Sequence, residues 1–327
     1  MVSVDKQDIH ILKYFSAMVT VVDGQVTKVT DPSLVFCPLA NHLYKDFKNI
    51  RKNYKESLKK AIKGAIEKKI RDYGLFTAQR HFNFPEVSIP YGASEMLMYA
   101  LKKKAIEAAV VVCDGAGTVI ANTPEIVQGI GARMNSLILT SPIKETIKKL
   151  EKSGCQVIFK NALIDQYHGV REAIQAGHKN IAVTINGDAV KGLKELRSLE
   201  KRNNVSITSL VLCTTGIAGN EIALIRDYAD LVWSCASQDI RRIAGTAAIM
   251  QLSRQIPVFV LTNKGVSFVS AYANESETIK NIDPHKQYLI DHTPGKQYVH
   301  LGGIKAFISE SDLPVSGRSE PSFSMNI

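Results

Sequence analysis

The sequence lacks the features that mark a membrane protein or a common metal enzyme. No apolar run approaches the roughly 18 residues that a transmembrane helix needs. The five cysteines include no Cys-x-x-Cys pair, and the eight histidines include no His-x-His and no His-Glu-x-x-His, so the usual spacings of zinc sites are missing. A nucleophile elbow is missing as well, which leaves acyl hydrolysis unsupported.

The first residues of the chain also lack a secretory signal. They read Met-Val-Ser-Val-Asp-Lys-Gln-Asp and contain no basic segment followed by an apolar stretch. Five cysteines in 327 residues without such a signal predict free thiols in a reducing compartment. We therefore expect a cytoplasmic protein without a membrane partner.

Positive charge is concentrated in one stretch of the chain. The formal net charge is +10, and eleven Lys or Arg residues lie between Lys45 and Arg71 against three acidic residues. Apolar residues recur there at three- and four-residue steps, which predicts an amphipathic helix with a basic outer face. Such a face is either solvated or a docking surface for an acidic protein. It does not favour nucleic acid as a partner, because no binding motif accompanies the charge.

The spacing of apolar residues divides the chain into two predicted regions and a tail. Residues 1–104 begin with a β-rich segment that turns at Asp23-Gly24, and they continue into the basic helix. Over residues 105–308 short apolar runs alternate with helical patterns, which predicts an α/β domain. Residues 309–327, rich in Ser and Pro, are expected to be a mobile tail.

The predicted fold class is α/β, a mainly parallel sheet with helices on both faces. Right-handed crossovers in such a pattern give a doubly wound, Rossmann-like architecture. A smaller β-containing N-terminal region and short C-terminal strands complete it. The pattern also predicts a helix over 240–254, strand-like pieces over 266–272 and 287–308, and a hairpin around Pro294-Gly295.

Three of the five cysteines stand where an apolar run ends. Cys113, Cys213 and Cys235 are each followed at once by small or polar residues. Buried parallel strands are continuous apolar runs, and ligands of open α/β sheets bind outside the carboxyl ends of the strands. The three cysteines therefore predict a site at that edge of the sheet. Cys155 begins a run instead and is expected to be structural.

The chemistry of these cysteines is open to three interpretations. Free cysteine is often a small buried residue, so all of them are explained as structural. Alternatively, Cys113 or Cys213 is a nucleophilic or redox thiolate, with Asp114 as the neighbouring acid or base. In the third interpretation a metal, as an iron–sulfur cluster or zinc, is bound by Cys37, Cys113, Cys213 and Cys235.

Loops rich in Gly, Thr and Asp follow the same strands and are candidates for binding an anion. Glycines expose backbone N–H groups, and hydroxyls at the start of a helix hold phosphates or carboxylates. A hairpin turn at Asp114-Gly115 and ordinary helix capping explain the same residues without a ligand. The candidate cofactor-binding residues are Gly115, Gly117, Thr118, Thr214, Thr215, Gly216, Gly219 and Ser237.

Several segments together resemble one archaeal family. They are residues 36–39, 70–74, 110–118, 127–131, 230–237 and 254–262, within a similarity that covers roughly residues 10–305. In these segments the chain resembles methanogenesis marker protein 8, a DUF2099-type family. The resemblance implies a methanogen or related archaeon, and a role in maturation, repair or assembly of methyl-coenzyme M reductase or its nickel cofactor. It supplies no catalytic residues.

The sequence thus favours a protein that binds an anionic cofactor or partner group at the strand ends. As the resemblance implies, it would support methyl-coenzyme M reductase or act with its maturation factors. One alternative is a non-catalytic assembly factor that docks through the basic stretch 45–71. Another is a nucleotide-binding enzyme that uses the glycine loops without cysteine chemistry. Whether the protein is an enzyme stays open at this stage.

Overall fold

The computed structural model describes residues 7–33 and 54–316. Within them the chain forms two β-sheets with helices packed against both. The basic stretch 45–71 is described only from Tyr54 onward, and Cys37 lies outside the described residues. The predicted tail lies outside them from residue 317. No helix in the described ranges combines the length and the apolar character that crossing a bilayer requires.

A small antiparallel sheet gathers the N-terminal strands. Its strands are β1 (Ile9–Tyr14), β2 (Ala17–Val22), β3 (Gln25–Val29) and β6 (Ser136–Thr140), in the order β3-β2-β1-β6. The turn between β2 and β3 confirms the hairpin predicted at Asp23-Gly24. Helix α1 (Tyr54–Tyr73) packs its apolar stripe on this sheet through Leu58, Ile62 and Ile66.

A large mixed sheet lies at the centre of the protein. Its strands are β4 (Ala108–Cys113), β5 (Gly117–Ala121), β7 (Gln156–Val157), β8 (Asn180–Asn186), β9 (Ser206–Leu212), β10 (Leu231–Trp233), β11 (Met250–Leu252), β12 (Val258–Val260), β13 (Tyr288–Asp291), β14 (Gln297–Leu301) and β15 (Ile304–Glu310). Their order across the sheet is β14-β15-β13-β11-β12-β10-β9-β8-β4-β5-β7. Most residues of the central strands are buried, in agreement with their largely apolar sequences.

The sheet is parallel at its centre and mostly antiparallel toward its rims. Strands β4, β8, β9 and β10 lie side by side in chain order and run parallel. Strand β12 is antiparallel to both β10 and β11, so β11 points the same way as β10, and β13 is parallel to β11. The sequence predicts a mainly parallel sheet. The rims differ because β4–β5 and β14–β15 are hairpins, which short turns join.

Helices cover both faces of the large sheet, as predicted. One face carries α2 (Ala93–Lys102), α3 (Pro124–Gly131), α4 (Lys144–Lys152), α9 (Asn263–Tyr272) and α10 (Ser276–Lys280). The other face carries α5 (Gln166–Gln175), α6 (Leu193–Asn203), α7 (Asn220–Tyr228) and α8 (Gln238–Ile243). The doubly wound, Rossmann-like description is not confirmed. The parallel strands succeed one another in one direction, without the reversal of order that defines it.

Three predicted elements are wrong. The helix expected over 240–254 ends at Ile243, and strand β11 occupies its second half. The strand-like piece expected over 266–272 is part of helix α9. A short, largely buried run does not show a periodicity clear enough to distinguish a strand from a helix. The hairpin expected around Pro294-Gly295 does not form, since β15 lies between β13 and β14.

The small sheet and the loop around residue 76 contact the carboxyl end of β4. The N–H of Gly115 donates to the hydroxyl of Thr140 on β6, at 2.8 Å, and the N–H of Phe76 donates to the carboxylate of Asp114, at 2.6 Å. Both hydrogen bonds lie over the end of β4. The ends of β9, β10, β11 and β13 instead face a cavity.

Candidate functional site

The cavity has a volume of about 800 Å³ and lies at the edge where the cysteine pattern predicts a site. Its floor consists of the residues that follow strands β9, β10, β11 and β13, which all point toward it. Its other walls come from the β1–β2 turn, the start of β6 and a loop before α2. The lining segments outside β9 and β10 are 13–16, 89–91, 134–136, 253–256 and 291–294.

Left-handed backbone is concentrated around this cavity. Among the described residues, twelve that are not glycine have a positive φ, and six of these line the cavity. Such residues cost about 1–3 kcal/mol each and cluster at functional sites, where the surrounding structure holds them in place. The six are Phe15, Ser16, Tyr91, Cys213, Cys235 and Ser253.

Cys213 and Cys235 are neighbours on the cavity wall. The parallel register of β9 and β10 brings the residues that follow these two strands side by side. The sulfur of Cys235 faces the backbone N–H groups of Cys213 and Thr214. Both thiols are free, and both residues are partly exposed. The structure therefore brings together two of the three strand-end cysteines.

Desolvation of the two sulfur atoms raises the pKa of both thiols. The pKa of Cys213 rises to about 12, because desolvation and the neighbouring Cys235 outweigh the Ser136 hydroxyl and the Lys13 ammonium, which lower it. Desolvation also raises the pKa of Cys235, while the two N–H groups and Arg241 act in the opposite direction. Both thiols are consequently protonated near neutral pH.

Among the charged groups that line the cavity, the ammonium of Lys13 makes only long contacts. The ammonium of Lys13 lies 3.5 Å from the Asp188 carboxylate and 3.5 Å from the carbonyl oxygen of Thr215, both long contacts. Arg254, in contrast, pairs closely with the carboxylate of Asp291 and compensates its charge. The ammonium of Lys13 therefore makes the cavity favourable for an anion.

Tyr91 and Trp233 form an aromatic wall of the cavity. The indole N–H of Trp233 donates to the backbone carbonyl oxygen of Tyr91 at 2.9 Å and so holds the indole against the backbone of the loop before α2. The hydroxyl of Tyr91 is buried and has no hydrogen-bond partner within residues 7–33 and 54–316. An unsatisfied buried hydroxyl costs about 1–3 kcal/mol.

Cys113 and Asp114 lie apart from the cavity. Cys113 is buried in the core, where desolvation raises its pKa well above the usual range. The Asp114 carboxylate accepts from the Arg80 guanidinium at 3.0 Å and from the Phe76 N–H at 2.6 Å. Arg80 and Asp114 are each about 1% exposed, so the carboxylate holds the loop around residue 76 against β4.

Gly115, Gly117 and Thr118 belong to the β4–β5 hairpin, whose returning strand the sequence predicts. A Cβ at Gly117, where φ is +69°, would lie 2.3 Å from the carbonyl oxygen of Ala162. The Thr118 hydroxyl donates to the carbonyl of Leu163 at 3.1 Å and accepts from a backbone N–H at 2.8 Å. The polar groups of this turn are thus used inside the protein.

Gly117→Ala tests this structural role. We expect it to lower the free energy of unfolding by about 2–4 kcal/mol, because the methyl group meets backbone atoms and the positive φ is strained. Gly154→Ala is the matched control, since Gly154 also has a positive φ, of +81°, but open space around its Cβ position. It should lose only about 1 kcal/mol. Equal losses in urea denaturation of the two variants would contradict the close approach at Gly117.

The loop after β9 contains the candidates Thr214, Thr215 and Gly216, and not all of them line the cavity. Thr215 lines the cavity, and Gly216 comes close to Lys13, whose nitrogen lies 3.9 Å from the position of a Cβ there. The hydroxyl of Thr214 instead donates to the carbonyl of Trp233 at 2.7 Å. Of these loop candidates, only Thr215 therefore lines the cavity.

Gly219 and Ser237 are the N-cap residues of two helices. Gly219 precedes α7 with a φ of +60° and has no side chain to cap it. The Ser237 hydroxyl accepts from the N–H of Ile240 at 3.2 Å and caps α8, which is the ordinary capping interpretation of its sequence. Neither of them is among the residues that line the described cavity.

The described cysteines do not assemble a metal centre. Among residues 7–33 and 54–316, no group of three or more His, Cys, Asp or Glu side chains is arranged to hold a metal ion. Cys113 is buried in the core while Cys213 and Cys235 face the cavity. The predicted contribution of Cys37 falls outside the described residues.

Sequence reasoning did not predict the charged residues of the cavity. Lys13, Arg254 and Asp291 come from three distant segments that only the sheet pairings bring together. One signal was available, because Arg254 follows strand β11 closely and Asp291 ends β13, at the same sheet edge as the cysteines. The wrong helix over 240–254 concealed it.

Comparison with known proteins identifies a family and a relative. A family described as an uncharacterized protein conserved in archaea, DUF2099, matches residues 10–274. An uncharacterized protein of Methanocaldococcus jannaschii is 38% identical over 275 residues, which are 83% of this chain and 93% of that protein. The family match includes Lys13, Cys213, Cys235 and Arg254. Neither description names an activity.

Proposed function

The chain belongs to the archaeal DUF2099 family, and we propose that it binds a small anionic molecule with an apolar body in the strand-end cavity. The ammonium of Lys13 pairs with the anionic group of this ligand. Tyr91 and Trp233 contact its apolar part. The thiols of Cys213 and Cys235 face the ligand from the strand ends.

The observation that carries this proposal is the concentration of left-handed backbone around one cavity. Six of the twelve described non-glycine residues with a positive φ line it. A tight β-turn accounts for Phe15 and Ser16 without a ligand. It does not account for Tyr91, Cys213, Cys235 and Ser253, which come from four other segments. A fold that holds strained residues from separate segments around one space indicates that the shape of this space is required for function.

The cavity also has the size and composition of a cofactor or substrate site. A volume of about 800 Å³ falls within the range of small-molecule pockets, which combine apolar walls with a few polar groups. The crevice outside parallel strand ends is also where α/β sheets bind ligands. The proposed ligand is therefore of cofactor size, with one anionic end.

Lys13→Gln tests the anionic preference. The probe is 8-anilinonaphthalene-1-sulfonate, which carries a sulfonate on an aromatic body. Trp233 is the single tryptophan of the chain and lines the cavity, so energy transfer from its fluorescence reports occupancy. We expect the variant to bind the probe about tenfold more weakly, because loss of a partly buried ion pair is worth about 1.4 kcal/mol.

Two controls accompany this measurement. N-phenyl-1-naphthylamine has the same aromatic body without the sulfonate, and its affinity should not change in Lys13→Gln. Lys28→Gln removes an exposed lysine from the same small sheet, away from the cavity, and should leave both affinities unchanged. If Lys13→Gln and Lys28→Gln weaken the sulfonate equally, the charge in the cavity does not select the ligand.

The cellular role implied by the resemblance is a further part of the proposal. A cytoplasmic protein that supports methyl-coenzyme M reductase or its maturation would use the cavity to hold an anionic cofactor or partner group. Docking through the basic helix has less support. On α1 Lys59 pairs with Asp31 and Glu56, and Lys63 pairs with Glu67, so part of its charge is compensated locally.

A further inference from the structure

The two cavity thiols carry an inference that rests on the proposed ligand site and extends it. We propose that Cys213 and Cys235 form a dithiol/disulfide couple that reduces a disulfide bond of the molecule bound in the cavity. Three observations carry it: the thiols are neighbours, both face the same cavity, and both residues have left-handed backbone.

The backbone conformation indicates that sulfur is needed at both positions. Cys213 has a φ of 57° and Cys235 a φ of 47°. Glycine adopts this conformation without strain, and asparagine tolerates it better than most residues. The chain instead has cysteine at both strand ends. Strained residues of this kind persist where the side chain has a function.

Access separates this pair from the other described cysteines. Cys113 and Cys155 are buried in the core, whereas Cys213 and Cys235 are partly exposed and line the cavity. A molecule bound in the cavity therefore reaches two thiols at once. Two adjacent thiols are what an exchange reaction needs to attack a disulfide and then release the product.

The surroundings of the two thiols favour electron donation. A dithiol whose reduced form is not stabilised as thiolate is a strong reductant, and desolvation raises the pKa of both thiols. We assign the first attack on the substrate disulfide to Cys235. Its sulfur faces the N–H groups of Cys213 and Thr214 and lies near the Arg241 guanidinium, and all of these favour its thiolate.

The reaction is a thiol–disulfide exchange in two steps. The Cys235 thiolate attacks one sulfur of the bound disulfide, forms a mixed disulfide and expels one substrate thiolate, which takes up the proton that Cys235 released. The Cys213 thiolate then attacks the Cys235 sulfur, forms the Cys213–Cys235 disulfide and expels the second substrate thiolate, which takes up the proton of Cys213. The protein loses two electrons and the substrate disulfide gains them.

The test follows thiol loss in the full-length protein, reduced and kept without oxygen. The probes are 3,3′-dithiodipropionate, a dianionic disulfide, and 2-hydroxyethyl disulfide, a neutral one. We expect two thiols per chain to be lost with either probe, and peptide mapping to find Cys213 linked to Cys235. The anionic probe should react about tenfold faster, and Lys13→Gln should remove this difference.

Single variants separate the two roles. Cys213→Ser should stop after the first step and keep a mixed disulfide at Cys235, while Cys235→Ser should react about a hundredfold more slowly. Cys113→Ser and Cys155→Ser are the matched controls and should behave like the unchanged chain. Circular dichroism verifies folding, and alanine variants of the same two cysteines replace any serine variant that fails to fold.

The possible results distinguish this inference from the proposed ligand site. If no Cys213–Cys235 link forms with either probe, the couple is overturned, even where sulfonate binding depends on Lys13 as proposed. If the link forms equally fast with both probes and in Lys13→Gln, the couple stands and the anionic ligand class is overturned. Linkage of either cysteine to Cys37 instead would also overturn the assigned pair.

Discussion

Asp114→Asn is expected to lower the free energy of unfolding by about 3–5 kcal/mol, because it leaves the Arg80 guanidinium charged and buried without its partner. Both side chains are about 1% exposed. Arg80 also donates to the carbonyl oxygen of Gly129, at 2.8 Å, so its charge cannot move into solvent without breaking backbone contacts. The decrease in the free energy of unfolding should therefore be near the upper end of the range seen for single substitutions.

Urea denaturation of three further variants makes this test specific. Arg80→Met should cost a similar amount, since it leaves the carboxylate unpaired instead. The double variant Arg80→Met/Asp114→Asn should lose clearly less than the sum of the two, as contacting residues are not additive. Asp227→Asn removes one partner of the exposed Arg226–Asp227 pair and should change stability by less than about 1 kcal/mol.

These variants also bear on the catalytic role considered for Asp114. If the Asp114 carboxylate acts as an acid or base on a ligand, Asp114→Asn folds normally and loses function. If the carboxylate is structural, Asp114→Asn lowers the free energy of unfolding. If Asp114→Asn unfolds at the same urea concentration as the unchanged chain, the structural role is wrong.

The second large effect is a loss of stability in acid, which we assign to His10. Its ring is fully buried, packs 5.1 Å from the ring of Phe76 and hydrogen-bonds through Nδ1 to the Thr140 hydroxyl at 2.6 Å. Desolvation lowers its pKa to about 4, although the carboxylates of Asp114 and Asp23 oppose this shift. The folded protein therefore holds a neutral imidazole.

The direction of the pH dependence follows from this lowered pKa. In the unfolded chain a histidine takes up a proton near pH 6.5, whereas in the folded protein it does so near pH 4. Its contribution is complete above about pH 6.5 and is lost as the pH falls toward 4. This difference corresponds to about 3 kcal/mol at 1.36 kcal/mol for each tenfold change.

His10→Phe provides the comparison. Phenylalanine keeps an aromatic ring against Phe76 but cannot take up a proton. Urea midpoints measured between pH 4 and pH 7 should fall less steeply toward acid in the variant than in the unchanged chain. Parallel pH profiles of the two proteins would mean that another group causes the acid sensitivity.

The elements that the sequence predicts correctly are those with strong local patterns. Strands such as β8 and β9 are mostly apolar and mostly buried, and α6 repeats leucine at three-residue steps, so neighbouring residues specify them. Helix α9 was predicted as a strand, because its largely buried run is too short to show a clear periodicity. A short apolar run therefore predicts a buried element but does not by itself distinguish a strand from a helix.

For the candidate site too, local sequence predicted some features, and contacts between distant segments decided the others. The apolar runs that end at Cys213 and Cys235 are local features, and they placed both residues at the carboxyl edge of the sheet. Cys113 has the same local pattern, yet it is buried, because the loop around Arg80 and strand β6 cover the end of β4. Which strand ends stay open depends on segments elsewhere in the chain.

The sequence by itself determined the family, the α/β class and the strand-end position of the three cysteines, since each of these rests on residues close together in the chain. Only the tertiary structure decided that Cys213 and Cys235 meet, and that Lys13 and Arg254 join them around one cavity. The reason is that strand order and the pairing of β1 with β6 depend on contacts between distant segments. No local periodicity encodes such contacts.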